Sequence, residues 1–413
     1  MISIPSFAKI NLGLKIGPAR ADGFHELRTV YQTLALHDIV RVELQEGEGI
    51  EIRCSDPRVP LDASNTCYKI AERVLELVHR GRGTGEPQVP RLAALARNDN
   101  LKSREGDDNS KRVAGADNRL SMGRPAAEAT PLAAGIGGDV YGTAHAARVQ
   151  HEINRAKLGK IVIEIEKRLP VQGGMGAASS NAVAAMLAME RVLDVRLSAQ
   201  DKLRIAAAVG SDLPLFLMGG TVLGVGRGEE VFPLPDLPSM PVVIVTPSTG
   251  VSTPRAFQRW DERNTLETAL TGAGDAGTIN EFSQHVFAWL GAGFPQVGSP
   301  AVGEGVGTAS GVPAKGGNRA ETPLLDLVRA GIENDFEKVV FPEYPDLREV
   351  KAVLLREGAR YASLSGSGST LYGLFATQDE AHLAAARMSA AGHAAVATTT
   401  LTREQYWKAT TSN

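Results

Sequence analysis

Twelve residues, Pro170-Val171-Gln172-Gly173-Gly174-Met175-Gly176-Ala177-Ala178-Ser179-Ser180-Asn181, hold three glycines, two alanines and two adjacent serines. Side chains this small let backbone N–H groups approach an anion closely, and a helix starting behind them adds its positive dipole end. Hydroxyls at Ser179 and Ser180 can bind phosphate oxygens or a magnesium ion. A plain tight strand-to-helix turn is the alternative. Two further residues suit proton transfer. Lys9 lies in the apolar run Ser6-Phe7-Ala8-Lys9-Ile10-Asn11-Leu12, where an ammonium needs a partner. Asp212 stands between Gly210 and Pro214, where its other role is to cap a helix. If both face one anion-binding pocket, the pair can deprotonate an alcohol: the ammonium keeps the carboxylate ionised and steadies the developing alkoxide.

Two more small-residue segments follow. Leu364-Ser365-Gly366-Ser367-Gly368-Ser369-Thr370 precedes a strand-like run, and Met218 to Gly228 holds five glycines behind Asp212. Taken singly each is a turn or a close-packed strand; together they suggest backbone crowding around a shared ligand. The pattern is neither a GxxxxGK[ST] loop nor a dinucleotide fingerprint, since the Gly-Lys pair at 159–160 is followed by Ile161 and the third glycine of GxGxxG is Ser179.

The elements that must position these residues are legible in outline. Ile39 to Leu44 alternates with period two, and Ile161 to Glu166 reads as the strand feeding the glycine turn. A helix over Ser180–Val195, capped by Ser179 or Ser180, follows the turn. Asp62–Asn65 offers caps for a helix carrying Tyr68, Ile70, Val74, Leu75 and Val78. A further helix spans Gln200–Val209 with Gly210 as its C′ residue. Val242 to Val245 opens a second domain, which continues as a helix (Asp346–Glu357), strands (Tyr361–Ser363 and Leu371–Phe375) and a helix (Gln378–Ala391). Two stretches read as insertions. From Gly81 to about residue 157 the chain is polar and mixed in charge, with a short helix near Arg91–Ala96. From residue 291 to about 322 it has linker composition, nine of the thirty residues 291–320 being Gly.

The 413 residues carry 44 basic and 47 acidic side chains and are 43% hydrophobic, the composition of a two-domain globular protein without the basic surplus of a nucleic-acid binder. Met1–Pro5 lacks the basic run and apolar core of a leader, and no stretch reaches the ~18 apolar residues of a membrane span, so a cytoplasmic protein with no membrane partner is expected. Cys54 and Cys67 cannot form a disulfide framework, and the eight histidines form no zinc motif.

Lys9-Ile10-Asn11-Leu12, the run Pro170 to Ala182 and Ser365-Gly366-Ser367-Gly368 resemble, in that order, the three motifs of the GHMP kinases. Arg20-Ala21-Asp22-Gly23-Phe24-His25-Glu26-Leu27, Gly210-Ser211-Asp212-Leu213-Pro214 and Asn334-Asp335-Phe336-Glu337 are similar to the branch acting on 4-diphosphocytidyl-2-C-methyl-D-erythritol, in non-mevalonate isoprenoid synthesis. The resemblance covers residues 2–80, 158–290 and 323–400. It implies an α+β two-domain GHMP-kinase fold: a ribosomal-protein-S5-domain-2-like α/β domain over 1–240 and a ferredoxin-like domain over 241–413. It further implies ATP and Mg2+, and a small-molecule substrate carrying a cytidine diphosphate group. Asp212 falls on the catalytic base and Lys9 on its partner. Pro170, Gly173, Gly174, Met175, Gly176, Ala177, Ala178, Ser179 and Ser180 fall on the ATP loop, with Ser180 a magnesium contact. Asn11, Gly366, Ser367 and Gly368 fall on the substrate side, and Phe24, His25 and Phe257 on the cytosine pocket, where two aromatic faces would sandwich the base. The chain departs from the family at Ala177 and Ala178, where glycine is usual and each methyl narrows backbone approach, and at Ser211, Phe24 and Ser369. The alternatives are another kinase of the superfamily, for homoserine or mevalonate, and a non-catalytic nucleotide-binding protein of this fold.

Overall fold

The computed structural model of the chain describes residues 1–83, 159–171, 173–271, 282–284, 286 and 333–412. Residues 84–157, with the short helix expected near Arg91, and the Gly-rich stretch 291–322 lie outside the described residues.

Two long strands, β1 (Ile2–Ala19) and β2 (His25–Gln45), form one antiparallel hairpin. The alternation at 39–44 is the far end of β2, where Val40 and Val42 are buried and Ile39, Arg41 and Glu43 are half-buried. Around the hairpin stand β3 (Ile50–Cys54), β4 (Lys160–Glu166), β5 (Thr221–Val225) and β6 (Glu230–Pro233), in the order β3-β4-β2-β5-β6 with β1 on β2. Among the described strands only β3 and β4 pair in parallel, as a crossover through helix α1 (Thr66–Gly83) requires. Asn65 Oδ1 accepts the Cys67 N–H at 2.8 Å, so the expected cap is made.

The second sheet is antiparallel, in the order β10-β7-β9-β8, built from β7 (Pro241–Val245), β8 (Tyr361–Leu364), β9 (Leu371–Leu374) and β10 (Ala395–Thr399). Helices between β7 and β8 and between β9 and β10 make the βαββαβ succession of a ferredoxin-like layer. Three buried clusters hold the whole. One lies between the first sheet and its helices, one under the second sheet, and a third joins the sheets through Ala8, Ile10 and Leu12 of β1 and Val242, Ile244 and Tyr372 of the second sheet. Strand β1 therefore runs along the seam between the layers, which is where an active site is wanted. Among the described residues no helix is long and apolar enough to cross a membrane.

The end of β4 is tied down before the glycine turn begins. Asp38, fully buried, accepts the backbone N–H groups of Arg168 and Leu169, both at 2.7 Å, and the ammonium of Lys167 at 2.6 Å. Asp38→Ala would leave a buried ammonium and two amides unpaired, a loss of about 3–5 kcal/mol. The expected result is a lowered urea midpoint; an unchanged midpoint would show that this anchor contributes nothing.

Candidate active site

The β1/β2 register shifts between Phe7 and Lys9 and again between Asn11 and Gly13. Such irregularities re-aim side chains, and the two here flank Lys9 and Asn11. At Lys9 the backbone N–H leaves the hairpin and donates to the Met175 carbonyl at 3.0 Å, tying β1 directly to the glycine turn. Asp212 arrives from the other side, just ahead of the one-turn helix α4 (Leu213–Phe216). It takes the position of an N-cap, but its carboxylate makes no cap hydrogen bond. The capping alternative is thereby excluded, and the carboxylate is available for other work.

That carboxylate is gripped at both oxygens. Lys9 Nζ lies 3.3 Å from Oδ2, and the Tyr31 phenol donates to Oδ1 at 3.2 Å. The Lys9 side chain is 4% exposed and that of Asp212 32%, so the ammonium sits beneath and the carboxylate opens outward. Lys9 Nζ also donates to Asn11 Oδ1 at 2.7 Å. The Asn11 amide donates to Thr29 Oγ1 at 2.8 Å, and Thr29 donates to the Gly13 carbonyl at 2.7 Å. Each donor in this chain has one acceptor, which fixes the Asn11 amide with its oxygen towards the lysine. Burial, and then the neighbouring Asp212 charge, push the Tyr31 phenol well above its ordinary value, so it remains a donor.

The three small-residue segments do not share one ligand wall. Two of them meet. Thr370 N donates to the Gly173 carbonyl at 3.2 Å and Ser365 Oγ to the Gly174 carbonyl at 3.0 Å. Gly173, Gly174 and Gly176 take φ of 131°, 80° and 67°. A Cβ on Gly174 would fall on the Ser365 carbonyl oxygen, and one on Gly176 would come within 3.1 Å of Lys9 Cγ. Only glycine fits this interlock, and the turn's backbone is left bare beside the Lys9–Asp212 pair. Asn334 holds the opposite loop by donating to the carbonyls of Leu364 and Gly366, both at 2.8 Å. The third segment, Met218–Gly228, backs Tyr31: a Cβ on Gly224 or Gly228 would stand 2.5 Å from its ring or its hydroxyl.

The helix after the turn, α2 (Ala177–Val192), starts earlier than expected. Its N-cap is Gly176 in the left-handed region, and neither Ser179 nor Ser180 caps it. Gly176 can take that conformation without strain, so the helix begins three residues before Ser180 and both serines lie in its first turn. Ser180 is 2% exposed and bonded to Ser6 Oγ at 2.7 Å, while Ser6 donates to Asn181 Oδ1 at 2.6 Å. The Ala177 methyl enters the core instead of the cradle; Ala178 is exposed. Likewise Gly210 ends α3 (Ala199–Val209) in an extended conformation and not as a left-handed C′ residue. Beside the turn a cleft is lined by Val59, Pro60, Cys67, Lys167, Val171 and Ala178.

The residues expected around cytosine gather at the hairpin end of β2, but not as two facing phenyl rings. Phe257, on α5 (Thr253–Thr271), stacks on His25 with centroids 4.9 Å apart at 12° and meets Phe336 edge-on at 5.0 Å. Among the described residues no ring contact joins it to Phe24, which is 50% exposed under the Arg227 guanidinium at 4.9 Å. His25 bonds Asp261 on the same helix through Nε2 at 2.7 Å. Ser367 meets Thr253, at the start of that helix, at 2.7 Å.

No sequence pattern pointed to Tyr31, Thr29 or Ser6. Each sits on a strand face where an aromatic or small polar residue reads as ordinary core, and only the pairing of β1 with β2 and α2 reveals its partner.

Comparison with known proteins bears on the family and the fold. Residues 140–220 match the GHMP kinases N terminal domain, and residues 320–394 match GHMP kinases C terminal. A 4-diphosphocytidyl-2-C-methyl-D-erythritol kinase of Solibacter usitatus is 30% identical over 371 residues, 90% of this chain and 80% of the relative. Among solved structures, a 4-(cytidine 5'-diphospho)-2C-methyl-D-erythritol kinase superposes with a TM-score of 0.55 at 21% identity, covering 97% of this chain and 99% of that one. An L. major mevalonate kinase solved with R-mevalonate gives 0.56 at 11% identity, covering 97% and 96%. These two superpositions show the fold alone.

Proposed function

The chain belongs to the 4-diphosphocytidyl-2-C-methyl-D-erythritol kinase family of GHMP kinases, and on that premise we propose that it transfers the γ-phosphoryl group of ATP to the 2-hydroxyl of that substrate. The observation that carries the reading is the meeting of a buried ammonium, a half-open carboxylate and a glycine turn with bare backbone at the seam of the two layers. Asp212 accepts the hydroxyl proton as the oxygen–phosphorus bond forms, and the bond from the γ-phosphorus to the β–γ bridging oxygen breaks, leaving ADP. Lys9, 3.3 Å from Asp212 Oδ2, pairs with the carboxylate and balances the alkoxide charge. Such transfer needs little covalent chemistry from the protein, so positioning and electrostatics supply most of the rate.

The backbone of Gly173–Gly176 and the positive end of α2 support the triphosphate, and the cleft lined by Val59, Pro60 and Val171 suits the attached nucleoside. Magnesium fits here chiefly through substrate oxygens. Among the described residues no three His, Cys, Asp or Glu gather, and the Ser180 hydroxyl, which the resemblance would place on the ion, is 2% exposed and bonded to Ser6. When bound, the ion neutralises phosphate charge. At the other end we assign the cytosine to Phe24, His25 and Phe257, with the His25–Phe257 stack opening or offering its outer face to the base.

Release of ADP with a panel of acceptors tests the reading. Turnover is expected with 4-diphosphocytidyl-2-C-methyl-D-erythritol and inhibition by CMP competitive with it. At least about 1,000-fold lower kcat/KM is expected with homoserine and mevalonate, because a site built for polar groups rejects substrates lacking them. Comparable turnover of either alcohol, or no ADP release with any acceptor, would contradict it.

A further inference from the structure

We infer that Tyr31 is the positioning residue that holds Asp212 in its reactive orientation, and that the glycine-rich turn ending at Gly228 is there to seat it. The inference rests on Asp212 being the base. A carboxylate held at one oxygen can swing about its last torsion. Here Lys9 takes Oδ2 at 3.3 Å and Tyr31 takes Oδ1 at 3.2 Å, from two different strands, so the plane of the group is fixed. A carboxylate offers about four lone-pair positions. Two donors leave others for a substrate hydroxyl, which reaches Asp212 through its exposed side.

Tyr31 is itself over-determined. The residue is 3% exposed, and it lies opposite Asn11 on β1 and Val222 on β5. The Lys9 ammonium stands 5.3 Å over its ring, adding a cation–π contact to the ion pair on the same lysine. On the far side the absent side chains of Gly224 and Gly228 make the room it occupies: a Cβ at either position would come 2.5 Å from Cε2 or from the hydroxyl. This assigns a use to the segment that the sequence singled out and the phosphate loop did not absorb. Beyond the phenol stands Glu229, itself bonded to Arg227 at 3.0 Å. Among the described residues the charged groups around the phenol are therefore Lys9, Asp212 and, one layer out, the Glu229–Arg227 pair.

The sign of the effect follows. A carboxylate freed of one donor can swing about its last torsion, so its proton-accepting oxygen meets the substrate hydroxyl less often and kcat falls. Tyr31→Phe keeps the ring under Lys9 and between the glycines and removes only the phenol oxygen. It should lower kcat about tenfold, with KM for ATP and for the acceptor within about twofold. Gly224→Ala should lower kcat in the same direction, with KM for ATP unchanged, by displacing the ring. A purely structural role would lower the melting temperature and leave kcat of the folded enzyme unchanged. An unchanged kcat in Tyr31→Phe, in an enzyme that Asp212→Asn inactivates, would overturn the inference and leave the base assignment standing. Full activity in Asp212→Asn would overturn both.

Discussion

Replacing Asp212 by asparagine should lower kcat by about 1,000-fold, within the range that a positioned general base contributes. The substitution keeps shape and keeps an oxygen for the Tyr31 phenol, which donates to Oδ1 at 3.2 Å. What it removes is the proton acceptor, and it turns an amide towards the Lys9 ammonium that now lies 3.3 Å from Oδ2. The melting temperature should change little, because the side chain is 32% exposed and caps no helix. ATP affinity should also hold, since the contacts that shape the glycine turn come from Lys9, Ser365 and Thr370 and none from Asp212. Steady-state kinetics beside a thermal melt and an ATP titration separate these quantities. A kcat within tenfold of the parent would remove Asp212 from the proton transfer.

Gly174→Ala should be the most damaging change of a single methyl. The residue has φ of 80°, which by itself costs an alanine about 1–2 kcal/mol. Its new Cβ would also land on the Ser365 carbonyl oxygen. The Ser365 loop cannot retreat cheaply, because Asn334 holds the carbonyls of Leu364 and Gly366 on either side of it. The glycine turn must give way instead, and with it the amides offered to phosphate. The expected result is a fall of about 100-fold in kcat/KM for ATP, as misplacement of a positioned group by about 1 Å produces. Gly392→Ala separates strain from collision: Gly392 has φ of 90° but nothing within 4 Å of a Cβ. That variant should lose some stability and no activity. Equal kinetic damage in both variants, or none in Gly174→Ala, would contradict the interlock.

The chemistry was easier to read from the sequence than its support. Lys9 and Asp212 stood out because a charge among apolar neighbours needs a partner, and the structure brings them together. The glycine turn stood out because few other uses require so many small residues before a helix. Tyr31 did not stand out, since a tyrosine between Val30 and Gln32 on a strand reads as core until β1 places Asn11 across from it. The start of α2 was misplaced because serine is the stronger cap in general, whereas here Gly176 enters the left-handed region and the serines turn to Ser6 and the helix face. The length of β1 and β2 was hidden too. Their irregularities interrupt the period-two signal at just the positions where Lys9 and Asn11 are re-aimed. The cytosine end was legible as a set of residues but not as a geometry, because nothing in the spacing foretells that His25 lies flat on Phe257.

The most direct test of the convergence is a crystal structure with a non-hydrolysable ATP analogue and 4-diphosphocytidyl-2-C-methyl-D-erythritol bound together. The 2-hydroxyl should lie about 3 Å from an Asp212 oxygen and in line with the γ-phosphate above Gly174 and Gly176, within hydrogen-bonding reach for proton transfer. A triphosphate seated away from the glycine turn, or an acceptor hydroxyl out of reach of Asp212, would contradict it.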